Sequence, residues 1–261
     1  MQRAKSEYAI QTVTNALRVL QAFETDEQLG VTELARRLHL HKNNVFRLLA
    51  TLEESHWVEQ TDAELYRLGA SCLRLSQSFT RTRLINRHAR PALASLCRET
   101  GETAHLGVLR DFEVVHLDGE QAPGMIAGTL RVGERLPCHC TALGKVLLAC
   151  GAKDTLEAYD RDVVAKHGLV ARTDSTIVDR DKLIEHLRHV AVQGFALDIG
   201  EYERGVSCAA VPIVDASARL VGAFSVSGPS FRLDHDALES RIVPSLLAAG
   251  AELSRLLGSP S

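Results

Sequence analysis

Apolar positions in the first fifty residues recur every three or four places. Ile10–Phe23, "IQTVTNALRVLQAF", carries Val13, Ala16, Leu17, Leu20 and Phe23 on that rhythm, which predicts an amphipathic helix. "VTELARRLHL" repeats it through Leu34, Ala35 and Leu38, with Thr32 as the expected N-cap. "HKNNVFRLLATLEES" repeats it again through Val45, Leu48, Leu49 and Leu52. The break between the last two is about three residues, the spacing of a helix-turn-helix. Its turn holds His39 where glycine is usual, and histidine is among the few other residues that tolerate a left-handed backbone. "WVEQTDAELYRLG" then changes to two short strands around "TDAE", a β-hairpin directly after the second helix. A helix-turn-helix followed by such a wing is a DNA-binding arrangement.

In that arrangement the N-terminal residues of the second helix face base edges in the major groove. Here they are His41, Lys42, Asn43, Asn44 and Arg47. Asparagine can bond adenine in bidentate fashion, and arginine or lysine can bond guanine or phosphate. Arg67 on the wing, and Arg3 and Lys5 in the N-terminal arm, are further candidates for phosphate or minor-groove contact. The chain as a whole is slightly acidic, with a net charge of −3. Residues 1–90 hold 13 Lys/Arg against 10 Asp/Glu, a net of +3, which leaves −6 for the remainder. The charge of the docking face matters more than the total, so the asymmetry permits DNA binding.

From Gly69 to Gly101 the pattern predicts a linker helix and a second helix in which Pro91 marks a start or a kink. Beyond it the period changes repeatedly. Glu102–Gln121 reads as a hairpin around Asp111, and "GMIAGTLRVGERLPCHC" as further strand. "TALGKVLLACG" reads as a helix capped by Thr141. Helices over about 153–165 and 180–193 precede three strands, "GFALDIG", "GVSCAAVPIVD" and "RLVGAFSVSGP". A last helix over about 236–257 opens on Asp236 and Glu239 at capping-box spacing. Strands in runs with helices between and after them predict an α+β domain on a largely antiparallel sheet. The expected division is residues 1–75 for the winged helix-turn-helix, 76–90 for the linker helix region and 91–261 for the second domain.

No apolar run approaches the roughly 20 residues that span a bilayer. The N-terminal residues lack a signal-peptide core, so a cytoplasmic protein is expected. Six scattered cysteines do not form a disulfide framework. Cys138-His139-Cys140 raises a metal reading, to which His105 or His116 could add a ligand. Structural zinc sites use a wider Cys spacing, and in an extended strand the two cysteines would point away from His139. A redox switch on Cys138, Cys140 or Cys208 would need an exposed, low-pKa thiol. An enzyme reading would make Cys208 a nucleophile beside Asp198 or a histidine. The chain carries no triad signature, Walker loop or dinucleotide fingerprint, and neither a catalytic role nor a cofactor is expected.

Taken together, "VTNALRVLQAF", "VTELARRLHL", "VFRLLATLEE", "YRLG", "RVGERLPCHCTALGKVLLA", "GEYERGVSCAAVPI" and "LVGAFSVSGP" resemble the IclR-type bacterial transcription regulators over essentially the whole chain. The resemblance implies a GAF/PAS-like effector domain, homodimers or homotetramers on palindromic operators, and either repression or activation. It also implies a small carboxylate held between the sheet and the N-terminus of the "TALGK" helix. Unpaired amides and the helix dipole suit an anion there, with Ala142 and Leu143 as donors and Leu143 narrowing the pocket. Carried over from the family, the pocket residues are Asp198, Cys208, Ser225 and Ser227, of which the two serines share one strand face. That set suits a hydroxy- or keto-acid, leaving aliphatic, aromatic and sugar acids all open. Met125, Ile126 and Leu130 are the expected apolar wall.

Overall fold

The computed structural model describes residues 9–81, 84–123 and 132–259, in two compact units, 1–82 and 83–261. The arm residues Arg3 and Lys5 and the wall residues Met125, Ile126 and Leu130 lie outside the described residues.

In the first unit α1 (Gln11–Gln21), α2 (Val31–Leu38) and α3 (Lys42–Glu54) precede a hairpin of β1 (Val58–Gln60) and β2 (Tyr66–Leu68). Val19, Leu34, Val45 and Leu49 are fully buried at their centre. His39 closes α2 in the left-handed conformation (φ 54°, ψ 44°), as its place in the turn predicts. Two expectations are corrected. Gly30, not Thr32, is the N-cap of α2. The stripe expected along α1 and just after it is borne out in part: Ala16, Leu20 and Phe23 pack on the core, whereas Val13 and Leu17 are more than half exposed and Val19, outside the expected set, is fully buried. Ile10, Val13 and Leu17 form a second apolar stripe, and three-to-four spacing alone does not say which of two stripes meets the core.

Helix α4 (Ala70–Arg81) follows the wing, and α5 (Leu84–Thr100) opens the second unit with Pro91 inside it rather than at its start. A six-stranded antiparallel sheet has the order β5 (Arg135–Pro137), β4 (Glu113–Glu120), β3 (Thr103–Arg110), β8 (Leu220–Pro229), β7 (Val206–Val214), β6 (Ala196–Ile199). One face packs on α5 and α11 (Val243–Leu256) through Leu106, Val211 and Phe224. The other packs on α6 (Ala142–Ala149) through Val114, Ala210 and Ala223, and α9 (Arg180–Gln193) packs on α6. Between α6 and α9 lie α7 (Thr155–Tyr159) and α8 (Ala165–His167), and α10 (His235–Ala237) leads to α11. This is the α+β class expected. The strand predicted to run through the Cys-His-Cys triplet instead ends at Pro137, and its described part starts at Arg135. The last helix is capped by Asp234, whose carboxylate accepts from the Ala237 amide, and not by Asp236.

The turn between β5 and α6 depends on one glycine. A Cβ on Gly144 would stand 2.3 Å from Cys138 Cα and 2.4 Å from its carbonyl oxygen, so backbone meets backbone there. Gly144→Ala is expected to lower the stability of the second unit by about 3 kcal/mol, the upper end for overpacking. Urea unfolding followed by circular dichroism measures this, and a loss below about 0.5 kcal/mol would contradict the close approach.

Candidate functional site

On α3 the side chains of Lys42, Asn43, Asn44 and Arg47 are all exposed around the first turns, while Val45 and Leu49 anchor the helix from its opposite face. Among the described residues Lys42 and Arg47 form no ion pair, so their charge is available. Arg36 and Arg37, by contrast, are bound to Glu33 and Asp26. Arg67 lies opposite Glu59 in the hairpin and bonds it at 2.6 Å, which offsets part of its charge. Sequence reasoning passed over Phe46, a large apolar side chain 57% exposed between Asn44 and Arg47 on the same helix.

The second unit holds a cavity of about 120 Å³ between the sheet and the start of α6. Strand pairing explains its lining. Asp198, Cys208 and Ser227 are direct register partners on β6, β7 and β8, one row across the sheet. Ser225 lies in the next row, paired with His105 of β3 and Ala210 of β7. Ala142 and Leu143, the first two residues of α6, close the cavity from the helix side. The structure thus brings together all six residues expected there.

Thr141 caps α6 as predicted, its hydroxyl accepting from the Gly144 amide and donating to the Pro137 carbonyl. The Lys145 amide donates to the Thr141 carbonyl. Among the described residues no acceptor meets the amides of Ala142 and Leu143, although both residues are buried. They are donors at the positive end of a helix dipole, in residues that line the cavity.

The electrostatics of the opposite wall are set by burial. Burial pushes the Asp198 carboxyl up to about 7, opposed by the Glu201 amide that donates to its Oδ1 at 2.7 Å. Burial likewise holds the Cys208 thiol well above its ordinary range. Lys145 is fully buried beneath this wall, donating to the Leu197 carbonyl at 2.9 Å and to the Glu201 carboxylate. Glu134, Tyr202 and Glu203 also line the cavity, and Glu203 is exposed at its edge.

His105 and His116 line the cavity too, and sequence reasoning considered them only as metal ligands. Their placement follows from the hairpin. Asp111 and Phe112, both with positive φ, set a register in which His116 pairs with Gly107, on the same face as His105. A β-bulge then intervenes at Leu117, so Asp118 pairs with Leu106 on the other face and binds Arg90 of α5 at 2.6 Å. Without the bulge Asp118 would stand opposite His105. The alternation of the strand contains no signal for that shift.

Cys138, His139 and Cys140 occupy a bend and turn rather than an extended strand, so the alternation argument about their directions does not apply. The Cys138 thiol donates to the Phe112 carbonyl, and His139 Nε2 lies 3.0 Å from the Val170 carbonyl. Among the described residues no three Cys, His, Asp or Glu side chains come together where they could hold a metal ion. Burial pushes the Cys140 thiol up to about 12 and Cys138 higher still, the opposite of a low-pKa redox thiol. No described helix is long and apolar enough to cross a membrane.

A winged helix-turn-helix with a free polar helix face, followed by a ligand-sized cavity in an α+β domain, defines a DNA-binding regulator. The chain belongs to the IclR family of bacterial transcriptional regulators: residues 12–62 match the IclR helix-turn-helix domain and residues 77–255 the IclR C-terminal domain. It is 34% identical to the HTH-type transcriptional regulator XynR of Escherichia coli, over 97% of this chain and 99% of that one. The crystal structure of Thermotoga maritima IclR is similar with a TM-score of 0.82 at 27% identity, covering 96% of this chain and all of that one. An IclR homolog from Microbacterium hydrocarbonoxydans, crystallised in complex with 4-hydroxybenzoate, shares the fold with a TM-score of 0.81 at 23% identity, over 94% and 98% of the two chains.

Proposed function

We propose that this protein is a cytoplasmic, non-enzymatic regulator whose operator affinity is set by a small carboxylate bound between α6 and the sheet. The observation that carries the reading is that Ala142 and Leu143, buried residues at the start of α6 whose amides meet no acceptor among the described residues, line the cavity opposite Asp198, Cys208 and Ser227. The effector carboxylate would accept from them, with Asp198, Cys208, Ser225 and Ser227 meeting its other oxygens. Lys42, Asn43, Asn44 and Arg47 would enter the major groove, and Arg67 would contact the backbone. The second apolar stripe of α1, Ile10, Val13 and Leu17, supports pairing of DNA-binding domains in a homodimer or tetramer. The effector would act by preferring one spacing of the paired recognition helices, and so shift the population toward it.

Fluorescence anisotropy on DNA from upstream of the protein's own gene tests both halves. Arg47→Ala or Asn44→Ala is expected to weaken operator binding by about 10- to 100-fold at physiological salt and to leave acid binding by the second unit intact. Ser227→Ala is expected to spare operator affinity and weaken the effector response by about tenfold. Unaltered specific binding by the Arg47 variant would remove the groove assignment.

A further inference from the structure

We propose that the paired imidazoles of His105 and His116 form a second polar subsite of the cavity, which reads a hydroxyl group carried by the carboxylate effector. The proposal rests on the carboxylate reading above and names the class of acid, a small hydroxy-monocarboxylate. His105 and His116 both line the cavity, with ring centroids 4.9 Å apart and planes tilted by 36°. The Nδ1 atom of each is buried and, among the described residues, has no hydrogen-bond partner. His105 Nε2 is already engaged, 2.8 Å from the Ser227 hydroxyl, which orients that ring.

A buried polar atom left unpaired is costly, and two on adjacent rings in one cavity are rare enough to need a purpose. The chemistry of the rings narrows what would pair with them. Burial holds His105 near 3 and His116 near 4, so both are neutral at physiological pH. Each neutral ring has one nitrogen that donates and one that accepts. A carboxylate only accepts, and a second anionic group would draw protons onto rings whose burial opposes charge. The bulge at Leu117 has moved Asp118, the carboxylate of their own hairpin, to the other face of the sheet. The cavity's remaining acidic groups are Glu134, Asp198 and Glu203. A hydroxyl both donates and accepts, and so can pair with a neutral ring in either tautomer. An effector held by its carboxylate at Ala142 and Leu143 would place such a group against the sheet.

Calorimetric titration of the full-length protein with two matched sets of acids is the test: propionate, lactate and malonate, then benzoate, 4-hydroxybenzoate and terephthalate. Within the set that binds better, the hydroxy-acid is expected to bind at least about tenfold more tightly than its unsubstituted parent. His116→Leu should reduce that ratio to about twofold or less, whereas His116→Asn, smaller than histidine but with an amide that both donates and accepts, should keep most of it. Circular dichroism reports whether each variant is folded, and His105→Leu with His105→Asn repeats the comparison should the first pair fail to fold. An undiminished ratio in the Leu variants, Asn behaving as Leu, or tightest binding by a dicarboxylate would each overturn the hydroxyl subsite while leaving the carboxylate site standing. Failure of all six acids to bind the wild-type protein would remove the carboxylate reading and this one with it.

Discussion

Replacing Lys145 by Met is expected to destabilise the second unit by about 3–5 kcal/mol, the usual cost of leaving one member of a buried ion pair alone. Lys145 is fully buried, and its ammonium donates to both Glu201 and the Leu197 carbonyl. Removing it leaves the Glu201 carboxylate, which burial already pushes upward, without its cation. The damage should also reach the cavity, because the Glu201 amide donates to Asp198 and fixes that carboxyl in the wall. The double variant Lys145→Met with Glu201→Gln removes both charges and should recover a large part of the loss. Urea unfolding of the two variants measures the difference. Equal destabilisation of both would show that packing, and not the buried charge, is what Lys145 contributes.

A carboxylate effector is expected to bind about tenfold more weakly at pH 8 than at pH 6. The reason is Asp198, which burial pushes up to about 7 in the free protein, in the cavity wall across from the ligand's carboxylate. A second anion raises that pKa further, so binding takes up a proton. Affinity is therefore full below about 7 and is lost as pH rises through 7, by up to tenfold per unit until the bound-state pKa is reached. His105 and His116, held near 3 and 4, stay neutral across this window and add no slope. Asp198→Asn keeps an oxygen to accept from the Glu201 amide and has no proton to exchange, so its affinity should be nearly flat with pH. Calorimetry with 4-hydroxybenzoate or lactate in buffers of different ionisation heat would count the protons directly. A flat wild-type profile would place the ligand charge away from Asp198.

The features legible in the sequence share a physical character. The positive φ of His39, the hairpin turn at Asp111 and the Thr141 cap each arise within a few residues, where side-chain chemistry and backbone sterics act locally. The polar face of α3 was legible for the same reason, since a helix places residues three and four apart on one side. The misreadings came where local chemistry offered two answers. Thr32 and Asp236 are good caps, but Gly30 and Asp234 stand where the helices start. Helix α1 carries two apolar stripes, and Val13 and Leu17 of the expected set lie on the one that does not meet the core. The Cys-His-Cys triplet drew notice by composition, yet it is a buried turn, and the quieter Thr141-Ala142-Leu143-Gly144 after it makes the cavity's helix wall.

By itself, then, the sequence determined the kinds of elements, their order, and which residues share one face of a helix or strand, because these follow from periods of 3.6 and 2. The tertiary structure alone decided which strands are neighbours. Placing β8 beside β3 brings Ser227 against His105, 122 positions away in the chain, and placing β6 beside β7 sets Asp198 opposite Cys208. It also decided the bulge that turns Asp118 away from the cavity, and the burial that makes Lys145 an internal ion, raises the Asp198 carboxyl to about 7 and leaves two histidines uncharged. Charge state depends on how much water each group keeps, and that is a property of the packed domain rather than of any segment of it.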